Sequence, residues 1–475
     1  MRTTPALALL AVLTASADAA AVPHLAKKKA ALREIESRRS ELVDLADRIW
    51  RWAETALRET RSAEALADYA EAQGFRVSRG VAQMPTAFVA EYGSGRPVIG
   101  VLGEYDALPG VSQKAQAAQE PLEPGAAGHG CGHNLFGPAS LGAAIAIKEL
   151  MAAGLLRGTI RFYGTPAEEA VGGKVYMARA GLFSDLDVAL LWHPETETIA
   201  DPKSSRAMVD LVVEFKGRSA HAAQDPWNGR SAVDGLELLT HALNLMREHV
   251  KPTVRIHYAI TDGGKVPNVV PDTARLWLWI RDFERDGVED VLARVRKAVE
   301  GAALAAGVQS TLTVQAGSWE RLPNHAAARL FHANMVWLGR IPFTEEEHAF
   351  ARRIQEATGA EPKGLLAAPA PLDLDPEPEG GSTDAADLSW IVPTAEFQAT
   401  TAPQGTPWHA WPVVACGGMS IGHKGMIYAA QVLATTMVDL FEDPAAVDAI
   451  RREFAEKTKG VVYKTYVPPG PPPVP

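Results

Sequence analysis

Three short β-prone runs, Pro97–Leu102, Thr159–Tyr163 and Val188–Trp192, constrain the fold of this chain more than any other feature. The first and third are continuously apolar, the pattern of strands buried on both faces. Helical periodicity fills the intervals, from Phe136 to Ala153 and from about residue 173 to 181. Strands alternating with helices imply an α/β fold with a parallel or mixed sheet covered by helices. In such sheets ligands bind beyond the carboxyl ends of the strands. Asp106 follows the first run, Glu168 and Glu169 the second, and His193 closes the third.

Between the first two runs lies Gly128-His129-Gly130-Cys131-Gly132-His133-Asn134, which gathers one of two cysteines and two of thirteen histidines among small residues. A thiolate and an imidazole two residues apart, in a backbone that turns tightly, can supply two metal ligands. A tight turn with a buried cysteine is the plainer alternative. A disulfide between Cys131 and Cys416 is the third, because the N-terminus has the pattern of an export signal: Arg2, the apolar run Ala6–Leu13, then small residues to Ala20. An exported protein, periplasmic or secreted, is therefore expected. No later segment approaches 18 uninterrupted apolar residues, so no membrane span is expected.

At 475 residues the chain is too long for one core. After the signal (1–20), the strand–helix alternation marks 21–205 as the first part of a catalytic domain. From 206 to 322 the order changes to β-α-β-β-α-β, the ferredoxin-like pattern of a separate, inserted domain. Residues 323–460 return to the first domain, with a strand-like Val413–Ala415 and a closing helix over 426–441. Residues 366–380 are a loop by composition, and 461–475 form a Pro-rich tail expected to be disordered. A net charge of −10 and a pI near 5.8 argue against nucleic acid as a partner. The one dense basic run, Lys27-Lys28-Lys29, reads as a solvated helix start.

A metal-dependent hydrolase needs one carboxylate on the metal and another free to act as general base, and adjacent Glu168 and Glu169 can supply both. Alone they are two solvated charges. His193 alone is a core histidine, and His423, between glycines at a helix start, has an equally plain reading. With Cys131, His133 and a glutamate they make five ligands, enough for two ions. Gly418-Met419-Ser420-Ile421-Gly422 matches a serine-hydrolase elbow, but the next histidine, His423, follows with no acid between. His221, in the small-residue turn Gly217–Ala223, is either a loop histidine or an oxyanion donor presented by the inserted domain. Arg281, a strand-end arginine, and Asn268, in the rigid turn Val266–Pro271, would suit a substrate carboxylate. His409, in the aromatic run Trp408–Trp411, is assigned no role.

Taken together, Asp106 in EYDALPG, Cys131 and His133 in GHGCGHN, Glu168-Glu169 in TPAEE, His193 in WHP, His221 in GRSAHAA, Asn268 in PNVVPD and His423 in GHKGM resemble the M20 metallopeptidases, amidohydrolase subfamily, over about residues 30–445. The resemblance implies two divalent ions, zinc or manganese, with Cys131 bridging, His133 and His193 on one ion and Glu169 and His423 on the other. It implies Glu168 as general base and Asp106 as the carboxylate that orients a ligand. It also implies a homodimer through the inserted domain, with His221 reaching the partner's site, and Asn268 and Arg281 on the substrate carboxylate. The expected reaction is hydrolysis of the amide of an N-acyl amino acid, aromatic acyl groups included, or of a short peptide. A dipeptidase, carboxypeptidase or aminoacylase of the same family, and a catalytically inactive metal-binding or interaction protein on the same fold, are the alternatives.

Overall fold

The computed structural model describes residues 22–378, 380–467 and 469–474, so the expected export signal lies outside the described residues. Helices α1 (Leu25–Ser37), α2 (Arg39–Trp52) and α3 (Thr60–Ala72) lead to strands β1 (Arg76–Arg79), β2 (Phe88–Ser94) and β3 (Val98–Gly103). Then come α4 (His133–Ala152), β4 (Gly158–Gly164), α5 (Gly173–Arg179), β5 (Val188–Glu195) and the short β6 (Ile199–Ala200). Next are β7 (Ala207–Lys216), α6 (Ala232–Met246), β8 (Arg255–Asp262), β9 (Thr273–Asp282), α7 (Arg285–Ala306) and β10 (Gln309–Ser318). After them follow α8 (His325–Leu338), α9 (Glu345–Thr358), α10 (Ala385–Leu388), β11 (Thr394–Thr400), α11 (Trp411–Gly417), α12 (Ser420–Glu442) and α13 (Pro444–Lys457).

The larger sheet has seven strands in the order β1-β2-β4-β3-β5-β11-β6. Its centre, β4-β3-β5-β11, is parallel, and β1, β2 and β6 add antiparallel edges. The sheet is therefore mixed, and its four parallel strands end along one edge. Strand β11, with Glu396 and Gln398 among its apolar residues, has no run that marks it in the sequence; it forms by pairing with β5, Phe397 opposite Trp192. Val413–Ala415 is not a strand but the middle of α11, which Pro412 opens in its first turn. Beneath the parallel edge lies α4, long and apolar enough by composition to cross a membrane, yet 78% of that stretch is buried in the protein. It is a core helix.

The smaller sheet, four antiparallel strands in the order β10-β7-β9-β8, has the ferredoxin-like arrangement. Its inner face, including Val209, Leu211, Leu276 and Leu278, packs under Leu236, Leu239 and Leu243 of α6 and Val291, Val295 and Val299 of α7. This core is separate from the main one. Strand β8 is a free edge, and Ile260 on it, with Leu238 and Leu245 of α6, is exposed.

Two expectations need correction. Lys28 is not solvated: it is 3% exposed, with its Nζ 2.7 Å from Asp439 of α12 and 2.8 Å from Asn334 Oδ1 of α8. The basic run holds one residue on the inward face of α1, so its charge is spent on joining three helices. The tail, too, is held as far as Gly470, whose carbonyl accepts from Arg179. Tyr463 donates to Asp387 at 2.7 Å, Tyr466 packs on the smaller core and Val467 on the larger. The segment thus straps the two units together.

Removing one partner of a buried ion pair leaves the other uncompensated. Lys28→Met is expected to lower the unfolding free energy by about 3–5 kcal/mol in chemical denaturation. Adding Asp439→Leu should recover most of that loss, and equal instability of the double variant would contradict the assignment.

Candidate metal centre

The parallel edge collects the site because β3, β4, β5 and β11 each release the chain there. Past β3 come Glu104 and Asp106, past β4 Glu168 and Glu169, within the end of β5 His193, and past β11 the loop to His409. The GHGCGHN turn adds Cys131 and His133, His133 being the first residue of α4. Gly132 makes this approach possible: its φ is +79°, and a Cβ there would lie 2.8 Å from Pro194 Cβ.

Three sets of ligand atoms each converge within 4.8 Å: Cys131, His133 and His193; Cys131, Glu169 and His409; and Glu104, His133 and Glu168. Cys131 Sγ lies 3.5 Å from His193 Nε2, whose ring is aimed by the Nδ1 bond to Pro194 O at 2.8 Å. His133 is aimed likewise, with Nδ1 on Asp106 Oδ1 at 3.0 Å and on Asp106 O at 3.1 Å. The other oxygen of Asp106 accepts from Glu169 N at 2.9 Å, so one carboxylate orients two members of the cluster. His409 Nε2 is 3.4 Å from Glu169 Oε2, and its backbone N–H donates to Gly130 O, beside Cys131. Both cysteines are buried free thiols, so the disulfide reading does not describe this chain.

The turn that carries the two glutamates is held under strain. Ala167 has φ +61°, a left-handed conformation that costs a non-glycine residue energy. Its N–H donates at 2.9 Å to Glu59, a fully buried carboxylate at the start of α3. Burial, with the charge of Asp106, pushes the Glu59 carboxyl up to about 8.

Electrostatics show what this pocket attracts. Burial, then the charges of Glu104, Glu169 and Asp384, raise Glu168 well above the usual carboxylate range. Burial lifts Glu169 to about 7, with Asp106 and Glu104 adding to it against the charge of His133. Burial, then Glu169, raises the Cys131 thiol. Anions crowded until they push one another toward protonation are the electrostatic signature of a cation site. Glu104 Oε2, His133 Nε2 and Glu169 Oε1 are buried without a hydrogen-bond partner among the described residues. Thiolate, imidazole and carboxylate in this mixture suit divalent zinc or manganese. The residues present fit the metal.

The cluster differs from the sequence expectation in one ligand. His423 stands in the first turn of α12, where its Nε2 meets Asp47 Oδ1 of α2 at 2.8 Å, and it belongs to none of the ligand sets. His409 occupies the fifth position instead. A helix-start histidine between glycines looks approachable in sequence, but the helix aims this one at a neighbouring helix. Nothing local marks His409; its φ of +57° and its bond to Gly130 come from the packing of the β11 loop. Glu104 was also missed, although it stands two residues before Asp106 in the same strand end. His129, fully buried, faces Ile49 O at 3.0 Å, and burial lowers it to about 3, so it is a neutral structural group.

The inserted unit places its three residues differently. The turns of His221 and Asn268 are joined by Ala222 N–H to Asn268 O at 3.0 Å and Val270 N–H to Ala220 O at 3.0 Å. His221 Nδ1 accepts from Ala223 N and Gln224 N at 3.2 and 3.1 Å, which leaves the ring proton on Nε2. Arg281, stacked 4.7 Å from the Trp279 ring centre, is at the other end of β9. Eight residue steps along the strand separate Thr273 from Arg281, about 27 Å at the usual rise. One copy of the chain therefore cannot close Asn268 and Arg281 on a single carboxylate, contrary to the sequence expectation.

Comparisons with known proteins agree with this geometry. The sequence matches the family Peptidase family M20/M25/M40 over residues 100–401. It is 39% identical to a p-aminobenzoyl-glutamate hydrolase subunit of Escherichia coli (strain K12), over 91% of this chain and 96% of that protein. It is 28% identical to the Xaa-Arg dipeptidase of Homo sapiens, over 89% of this chain and 91% of the relative. In fold it resembles a dinuclear metal binding peptidase from the M20 family of Bacillus subtilis, with a TM-score of 0.56 and 17% identity, covering 86% of this chain and 99% of that one. On the family match, the identity over nearly its whole length and the shared fold, this chain belongs to peptidase family M20/M25/M40 and is a hydrolase of that family.

Proposed function

We propose that the chain is a dinuclear metal-dependent amidohydrolase that cleaves the amide of N-acyl amino acids, with aromatic acyl groups such as p-aminobenzoyl-glutamate in its range. The observation that carries the reading is the pair of ligand sets that meet at Cys131, one with His133 and His193 and one with Glu169 and His409, with Glu168 next to Glu169 in the chain and outside both. Cys131 is common to two sets, as a bridging thiolate would be; His133 and His193 complete one site, Glu169 and His409 the other. Bound ions supply Lewis acidity, polarising the amide carbonyl and lowering the pKa of water. Glu168 takes the proton of the attacking water and returns it to the departing amine. Asp106 keeps His133 and the Glu169 backbone in place throughout.

The oxyanion donor is His221, already in the Nε2–H form that the role requires. It acts in the site of a second copy. The tip that carries His221 and Asn268 is a strand's length from the end where Arg281 sits, and the free edge of β8 with exposed Ile260, Leu238 and Leu245 supports pairing of two copies through the inserted unit. Asn268 of one copy and Arg281 of the other then serve one substrate carboxylate. The segment Arg2–Ala20 supports an exported enzyme.

Three outcomes are expected. Glu168→Gln should lower kcat by roughly 10²–10⁴-fold on p-aminobenzoyl-glutamate or another cleaved substrate while metal content stays at the wild-type level; near-normal turnover removes Glu168 from the mechanism. His409→Ala should lose about one metal equivalent by elemental analysis and His423→Ala none, and the reverse result restores His423 as the ligand. Finally, inactive Glu168→Gln and His221→Ala proteins, mixed and re-paired, should regain roughly a quarter of wild-type activity, because half the dimers then hold one complete site. No recovery despite proven subunit exchange contradicts a site completed by the partner.

A further inference from the structure

We propose that Glu104 is a sixth ligand of the metal centre, on the ion that His133 holds, and that Lys174 and Asp384 form the buried mount that aims it. This rests on the two-ion reading and adds to it a residue outside the five-ligand set. The geometry that carries it is a pair of lone-pair atoms facing each other. His133 uses Nδ1 on Asp106, so in the ligating tautomer its Nε2 is an acceptor. Glu104 Oε2 stands 3.0 Å from that nitrogen, and both atoms are buried with no hydrogen-bond partner. Two acceptors at this distance repel unless a proton or a metal cation lies against both, and the contact, though 3.0 Å long, does not have hydrogen-bond geometry. Ligand atoms each about 2.1 Å from one ion are about 3.0 Å apart when they occupy neighbouring octahedral corners, which is the spacing found.

The other side of Glu104 explains why it cannot turn away. Oε1 receives Lys174 Nζ at 2.6 Å, and the same Nζ lies 2.6 Å from Asp384 Oδ1, whose second oxygen accepts Lys174 N at 2.8 Å. Lys174 is fully excluded from solvent, and Glu104 and Asp384 are 3% and 4% exposed. A buried lysine between two buried carboxylates is a rigid mount, since any member that left would strand the others. Two carboxylates and one ammonium leave one negative charge, and the unpaired oxygen of Glu104 directs it at His133. A carboxylate oxygen of Glu168 also lies within 4.8 Å of the Glu104 and His133 ligand atoms, so Glu104 stands close to the general base. A purely structural clip between β3, α5 and α10 has no need of an oxygen aimed at a ligand imidazole.

The experiment compares full-length wild type with Glu104→Gln, stripped of metal and titrated with Zn2+ and Mn2+ against a chromophoric chelator, with the visible spectrum of the Co2+ forms as a second readout. Thermal unfolding of the metal-free proteins checks that both are folded. The expected result is a 10–100-fold loss of affinity for one ion, the other unchanged, and a Co2+ spectrum altered in position or intensity. If Glu104→Gln does not fold, Asp384→Asn decides the matter. It also takes the net charge of the mount from −1 to 0 while leaving Glu104 in place, and it should weaken the same ion. Unchanged affinities and an unchanged Co2+ spectrum in the folded variant overturn the proposal and leave the triad a clip. If wild type binds a single ion, the two-ion reading falls, and the response of that ion to Glu104→Gln still decides the role of Glu104. A wild type that binds no ion overturns both.

Discussion

Crowding of negative charge at one sheet edge is the constraint on which the rest of this structure depends. Glu104, Asp106, Glu168 and Glu169 are brought together by strands that end side by side, Asp384 joins them from the start of α10, and burial alone would drive several of them to the neutral form. The fold offsets part of that cost with Lys174, which keeps its charge against its own desolvation and holds Glu104 well below the usual carboxylate range. The remainder is left to a cation. The pocket is thus arranged for a charge that the polypeptide does not itself contain, and the surrounding helices and glycine turns serve to keep solvent from supplying it instead.

Much of this was legible in the sequence, and the parts that were not share a cause. The apolar runs before Glu104, Glu168 and His193 mark strands whose ends must lie together, so the positions of Asp106, Cys131, His133, Glu168, Glu169 and His193 follow from local pattern and the habits of parallel sheets. His409 does not follow. It reaches the pocket at the end of a loop from β11, a strand that exists through pairing with β5 rather than through its own composition, and it adopts a left-handed backbone that no local signal announces. His423 was the more visible histidine in sequence for reasons of flanking glycine, and the helix phase sends it elsewhere. Lys28 shows the same limit: three adjacent lysines look alike until α1 is rotated against α8 and α12.

The inserted unit was legible as a pattern but not as a distance. Its β-α-β-β-α-β order is plain in the sequence, yet the separation of Asn268 and Arg281 along β9 requires the register, which pairs Arg281 with Met208 at one end and Thr273 with Lys216 at the other. That separation keeps two residues that look like one carboxylate grip in sequence from closing on one small group within a single copy.

The two Cys131-centred ligand sets differ in their access to water. Cys131, His133 and His193 lie under the sheet edge, whereas His409 is more than half exposed at the rim, on a backbone conformation of higher energy. On the two-ion reading, an ion held by Cys131, Glu169 and His409 would lie nearer to solvent than one held by Cys131, His133 and His193.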